Sequence, residues 1–209
     1  MMRRIARLLF IVLALAGAAA CVMLAWFASQ GVSARPAPGG AETAVARRWR
    51  AAAIPRAARE IRNPVPLSPD SLNAGLEHFA DHCAACHAND GSGDTEMGRG
   101  LYPRAPDMRQ AATQSLTDGD LFYIIENGVR LTGMPGWGTG TPEGDQESWQ
   151  LVQFIRRLPA LTQEEIDRMK ELNPKSAAQF RDDEEARKFL AGEGDAPRAA
   201  PAHKHGGRE

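Results

Sequence analysis

Cys83-Ala84-Ala85-Cys86-His87 is the stretch on which the reading of this chain turns. Its pattern, C-x-x-C-H, is the attachment signature of a c-type haem. Two thiols two residues apart can each add to one vinyl group of the same porphyrin. The histidine after them then sits beneath the ring with an imidazole nitrogen toward the iron. Cys83 and Cys86 are the candidate thioether residues, and His87 is the candidate proximal ligand. Two other chemistries share part of the pattern. A structural zinc site needs four ligands, and the third cysteine, Cys21, lies in an apolar N-terminal run. A redox dithiol also uses C-x-x-C, but beside a βαβ unit, and no convincing strand pattern flanks this one. The motif occurs once and no internal repeat is visible, so one haem c is expected.

The flanking sequence reads as helices and one long loop. Ser68-Pro69 pairs an N-cap residue with proline at the first helical position. The predicted helix runs to about Asp81 or His82 and delivers the motif at its end, with Gly75 and Phe79 on one face. Asn89 to Arg109 is a loop with glycines at 91, 93, 98 and 100. No Gly-Lys-Ser/Thr comes after it, so it is not a phosphate-binding loop. Its glycines suit backbone that passes close to a porphyrin. Thr117 and Asp120 form a capping-box-like pair, opening a helix that ends at Gly128 with Leu121, Phe122, Ile124 and Ile125 as its apolar side. Another helix, containing Ser148 to Ile155, is ended by Pro159.

Taken in order, Gly75-x-x-x-Phe79, the haem motif, Leu131-Thr132-Gly133-Met134-Pro135-Gly136-Trp137, and Leu151 with Phe154 resemble the class I c-type cytochromes. The resemblance covers about residues 68–160. It is closest to the monohaem domains of small periplasmic cytochromes and of c-type subunits of bacterial terminal oxidases and dehydrogenases. It implies an all-α class I cytochrome c fold, in which the helix bearing Gly75 crosses the C-terminal helix bearing Leu151 and Phe154. It also implies a proline carbonyl that accepts the free N–H of the proximal imidazole, fixing the ring and tuning its basicity. Pro103 is the candidate, with Pro106 close behind.

The same resemblance makes Met134 the distal ligand. Thioether sulfur is a soft ligand for haem iron, and His/Met ligation raises the reduction potential. Pro135 biases Met134 toward extended backbone, and Gly133 and Gly136 let the chain pass near the ring. Met97, ten residues from His87, and Met108, outside any Gly-Met-Pro setting, are the competitors; a methionine is often core filler. Trp137 is expected either to bond a haem propionate or to cover the ring. Arg104 is read equally as a propionate partner or as solvated.

The rest of the chain divides by composition. Residues 1–30 are a membrane anchor or signal segment: Arg3, Arg4 and Arg7 precede an uncharged run from Leu8 to Ala28. That run is long enough to span a bilayer as a helix, and the arginines place the N-terminus in the cytoplasm. Cleavage after Ala18-Ala19-Ala20 and lipidation at Cys21 are the alternatives, but apolar sequence continues past both to Trp26. Residues 31–66 are a linker in which Arg47, Arg48, Arg50, Arg56, Arg59 and Arg62 surround Trp49. They form either a solvated tether or a short basic helix on anionic lipid headgroups, interrupted at Pro55. The haem domain occupies 67–160. A helical extension comes next over 161–192, opened by a Thr162/Glu165 capping box and resumed at Ser176 until Gly192. It serves either as a cover for the domain or as a docking surface. Residues 193–209 are an expected disordered tail, in which His203 and His205 are solvated or bind a metal weakly.

Charge narrows the function further. Residues 1–62 carry ten Arg and two acidic residues, whereas residues 63–160 carry six Arg and thirteen acidic ones. An acidic haem domain is an unsuitable nucleic-acid binder. The resulting expectation is one-electron transfer in a respiratory chain, anchored in the bacterial inner membrane with the haem domain in the periplasm. Redox proteins are the partners, and no small-molecule substrate is expected. A haem subunit fixed within a larger oxidoreductase complex is the alternative. A peroxidase or gas sensor would need an open distal site.

Overall fold

A computed structural model describes residues 2–29, 33–34, 36–175 and 177–191. Every regular element among these residues is helical. Helix α1, Met2–Ser29, is exposed at every residue whose burial is described. Its Arg3–Trp26 segment has a mean hydropathy of 2.8 and is 0% buried, so it is long and apolar enough to cross a membrane. Two short helices come next, α2 at Gly40–Ala53 and α3 at Arg56–Glu60, with Pro55 as the N-cap of α3.

The centre of the molecule is a helix crossing. Helix α4, Pro69–His78, starts in a capping box: Ser71 N–H donates to the Ser68 hydroxyl at 3.1 Å, and Ser68 N–H donates to the Ser71 hydroxyl at 3.0 Å. Its axis continues through a π-helical turn, Phe79–Cys83, into α5, Ala84–His87. Beyond the loop lie the short helices α6, Glu96–Gly100, and α7, Ala111–Gln114, then α8, Asp118–Asn127, and α9, Pro142–Arg157. Helix α9 crosses α4 where Gly75 has no side chain: a Cβ there would sit 2.3 Å from the Gln150 carbonyl oxygen. Phe79 and Phe154, both fully buried, meet one step further on with ring centroids 5.2 Å apart. Leu76, Leu151, Val152 and Ile155 complete the apolar centre of this crossing.

Helix α8 lies against α9. Its capping box forms as Thr117 and Asp120 predict, and it ends at Gly128 with φ +67°. Phe122 stacks on Trp149, centroids 4.0 Å apart and 9° from parallel. Arg156 bonds Asp118 and the Gln114 carbonyl, tying the end of α9 to the start of α8. The segment read as a linker does more than connect. Ile54 is buried, Arg59 and Asp120 stand 3.2 Å apart, and Gly119 admits the Ala58 carbonyl where a Cβ would lie 1.9 Å from it. So α3 docks on α8.

After a 3₁₀ turn at Leu158–Ala160, helix α10, Gln163–Leu172, opens with the Thr162/Glu165 capping box. Met169 is fully buried, and Arg168 pairs with Glu77 at 2.7 Å, so α10 covers α4 and the π turn. Helix α11 spans Ala177–Leu190. Its expected boundaries, Ser176 and Gly192, lie outside the described residues, as does the 193–209 tail with His203 and His205.

Candidate functional site

The sequence from Phe79 to His87 has no feature that breaks a 3.6-residue helix, yet one turn of it widens. A π turn holds an extra residue, so the residues after it are rotated by about one position relative to a straight α-helix. Cys83, Cys86 and His87 are aimed by that turn. Asn173, at the end of α10, braces it: its side-chain amide lies 3.0 and 2.9 Å from the carbonyls of Ala80 and Met169 and beside the amide of Asn89. Ala88, directly after His87, takes φ +60° and ψ 157°, a region that side-chain-bearing residues rarely occupy.

The loop beyond His87 folds back under the motif. Gly93 N–H donates to the His87 carbonyl at 2.8 Å, Ala105 N–H to the Gly98 carbonyl at 3.1 Å, and Met108 N–H to the Gly91 carbonyl at 2.8 Å. The Thr95 hydroxyl donates to the Cys86 carbonyl at 3.2 Å. Close passage requires glycine at two points. A Cβ at Gly93 would lie 2.4 Å from the Ala105 carbonyl oxygen, and one at Gly98 would lie 2.2 Å from that of Cys86. This path brings the Pro106 carbonyl, rather than that of Pro103, to His87. Pro103 is exposed and comes after a cis peptide bond. Burial lowers the His87 pKa, and the Pro106 carbonyl opposes that by supporting the protonated ring.

Met134 is held on a separate loop packed on the end of α8. Its N–H donates to the Thr132 hydroxyl at 3.1 Å, and its carbonyl accepts from Val129 N–H at 3.0 Å. Trp137 N–H donates to the Ile125 carbonyl at 2.9 Å and Gly138 N–H to that of Glu126 at 3.1 Å. Glu126 in turn accepts from the Ser148 hydroxyl at 2.5 Å, fixing α8 to α9. The two loops meet at Leu101 and Gly133, where a Cβ would come within 2.5 Å of the leucine side chain. Met134 is half-buried. Met108 is buried in the apolar core, and Met97 is exposed beside α6. Trp137 packs on the core, its ring edge-to-face with His82 at 5.3 Å, and His82 in turn contacts His78 at 4.8 Å. The two histidines carried no motif that marked them in the sequence.

The residues fit a covalent haem better than the rival chemistries. Burial, with Cys86 adding to it, pushes the Cys83 thiol up to about 12, so Cys83 sits in the apolar surroundings that suit a thioether. No group of three or more His, Cys, Asp or Glu able to hold a metal ion occurs among the described residues. Both motif cysteines are free of disulfides, and His87 Nδ1 is buried beside them.

Comparison with known proteins agrees. Residues 70–155 match the family described as "Cytochrome C oxidase, cbb3-type, subunit III". A curated relative from Rhizobium leguminosarum bv. viciae, "Cbb3-type cytochrome c oxidase subunit FixPc", is 31% identical over 93 residues, which are 44% of this chain. The match spans 30% of that relative's length. Residues 70–155 are thus a monohaem c-type cytochrome domain of all-α fold, and such a domain carries covalently bound haem c.

Proposed function

We propose that this chain transfers single electrons through one haem c held by Cys83 and Cys86 and ligated by His87 and Met134. It works as a membrane-anchored carrier with its haem domain on the periplasmic side. The observation that carries this reading is the pairing of two loops: one brings Pro106 to His87, and the other holds Met134 beyond the Leu101–Gly133 contact. Bound haem c supplies a one-electron iron couple.

The chain's own residues then do three things. Cys83 and Cys86 make the cofactor permanent. His87, whose pKa is lowered by burial, is neutral at pH 7 and offers a lone pair, while the Pro106 carbonyl orients its ring. Met134 would supply the second iron ligand, which would exclude small ligands and limit geometric change on electron transfer. The acidic balance of the domain favours a basic docking patch on the redox partner. The matched relative is named as an oxidase subunit, and this supports a cbb3-type oxidase complex as the setting, with the chain either visiting it or fixed in it.

The test is the optical spectrum of the matured protein, oxidised and reduced, with and without carbon monoxide. A low-spin c-type spectrum, a sulfur-to-iron charge-transfer band and no response to carbon monoxide are expected. A high-spin or carbon-monoxide-reactive haem overturns the six-coordinate carrier and moves the enzyme or sensor reading forward. Co-purification with oxidase subunits separates a fixed subunit from a mobile carrier.

A further inference from the structure

One side chain brackets the Cys83–His87 motif, and it comes from beyond residue 155, where the family match ends. Asn173 is the C-cap of α10, with φ −63° and ψ 142°; Pro174 after it disfavours helical backbone there. Its side-chain amide lies 3.0 Å from the Ala80 carbonyl, on the near side of the motif, and beside the amide of Asn89, on the far side. It also lies 2.9 Å from the Met169 carbonyl, one of those that a helix end leaves without a helical partner. The Ala80 carbonyl is short of a partner for a different reason. In an α-helix the Ala84 N–H would bond it. Here Ala84 N–H donates to the Phe79 carbonyl, five residues back, as a π turn requires. Ala80 is fully buried, away from water that could replace that bond.

We infer that Asn173 is a positioning residue for haem ligation. Its amide N–H groups hold the Ala80 carbonyl and keep the π turn in place, and with Asn89 they clamp both ends of the segment that aims Cys83, Cys86 and His87. This role rests on the reading of that segment as the haem attachment site, with His87 on the iron. A helix cap would need only the Met169 carbonyl. The approach to Ala80 and Asn89 adds nothing to α10 and bears on the motif instead. Helix α10 is seated firmly enough to carry the clamp, because Met169 is fully buried and Arg168 pairs with Glu77 at 2.7 Å. The chemistry also specifies an amide. Two carbonyls that face one side chain need N–H donors, which asparagine has and an ionised aspartate lacks.

The test uses the full, haem-loaded chain and reads the haem methyl resonances of the oxidised protein by NMR, which follow the orientation of the axial imidazole. Wild type, Asn173→Ala, Asn173→Asp and Arg168→Ala are compared, each variant against wild type at the same pH. Arg168→Ala removes the ion pair with Glu77 but keeps the amide, and its resonances are expected to coincide with those of wild type. Asn173→Ala is expected to shift them at every pH. Asn173→Asp is expected to shift them at about pH 8, where a carboxylate faces the two carbonyls, and to return toward wild type near pH 4, where the protonated carboxyl regains an O–H donor. A side chain that only capped α10 would give no such reversal. Wild-type resonances in Asn173→Ala, with only a lower unfolding midpoint, overturn the proposal. If Asn173→Ala does not fold, Asn173→Asp decides within one folded sample, and resonances that do not respond to pH overturn the proposal. A wild type without a low-spin, imidazole-ligated haem removes the haem reading itself; a low-spin wild type with unshifted Asn173 variants removes the positioning role alone.

Discussion

Arg109 grips Asp107 through two parallel hydrogen bonds, Nε to Oδ1 at 2.8 Å and Nη2 to Oδ2 at 2.9 Å, while its Nη1 reaches Asp90 at 2.9 Å. The pair pins the loop that carries Pro106 beneath His87. Arg109 holds the Asp107 carboxyl at about 2, below its ordinary 3.8. A carboxyl with a depressed folded pKa contributes stability above its unfolded value and loses it as pH falls through the folded one. Both side chains are partly exposed, so the contribution is at most ~1 kcal/mol. Asp107→Asn is therefore expected to lower stability modestly at pH 7, and the gap to the wild type should close between pH 4 and pH 2. Denaturant melts across that range check it. A gap that stays constant would mean that the fork acts by packing and not by charge.

The contact of Gly75 with Gln150 leaves no room for a methyl group, because the nearest atom is a backbone oxygen that cannot swing away. Overpacking costs typically ~1–3 kcal/mol, set against ~1 kcal/mol of helix propensity gained from alanine. A contact this short lies at the upper end of that cost. Gly75→Ala should then destabilise the protein by about 1–2 kcal/mol in chemical denaturation, with a normal haem spectrum in the fraction that folds. A neutral result would mean that α4 and α9 can part without loss.

That crossing was legible in the sequence because a small residue, two aromatics and a leucine stand in a fixed order around the haem motif. The capping boxes at Thr117/Asp120 and Thr162/Glu165 were legible for a simpler reason: their partners are three residues apart. What the sequence hid depends on distant neighbours. The π turn leaves the apolar pattern from Leu76 to Ala84 intact, so nothing local announces it. Pro106 rather than Pro103 reaches His87 because the loop path is set by the close passages at Gly93 and Gly98. The docking of α3 needs Asp120 and Gly119, some sixty residues away. The cover formed by α10 depends on Met169, which reads as an ordinary helical residue until Arg168 is seen on Glu77.

Ala88 offers a gain in stability. Its φ of +60° with ψ 157° belongs to a region that glycine enters freely, and a non-glycine residue there costs about 1–3 kcal/mol. Glycine gives back ~0.5–1 kcal/mol through the freedom of the unfolded chain. Ala88→Gly should raise stability by roughly 0.5–2 kcal/mol by that difference, measured by thermal or denaturant unfolding of the haem-loaded protein. A loss of stability would show that the alanine methyl makes a compensating contact.

Met134 and Met108 separate ligation from packing. Met108 is buried in the core, where truncation to alanine costs about 2–5 kcal/mol. Met108→Ala should therefore lower the unfolding midpoint and leave the low-spin spectrum and the potential unchanged. Met134 is half-buried on a loop and belongs to no buried core cluster, so Met134→Ala should remove little packing. Its effect should be electronic. Loss of a thioether ligand lowers the potential by on the order of 0.1 V or more, within the ~0.8 V that axial ligation commands. The sulfur-to-iron band should vanish, and the reduced iron should bind carbon monoxide. His87→Ala should go further and abolish stable iron ligation. If Met134→Ala kept its potential while Met108→Ala lost the sulfur band, the distal ligand would be Met108, and the core around α4 and α9 would have to open to present it.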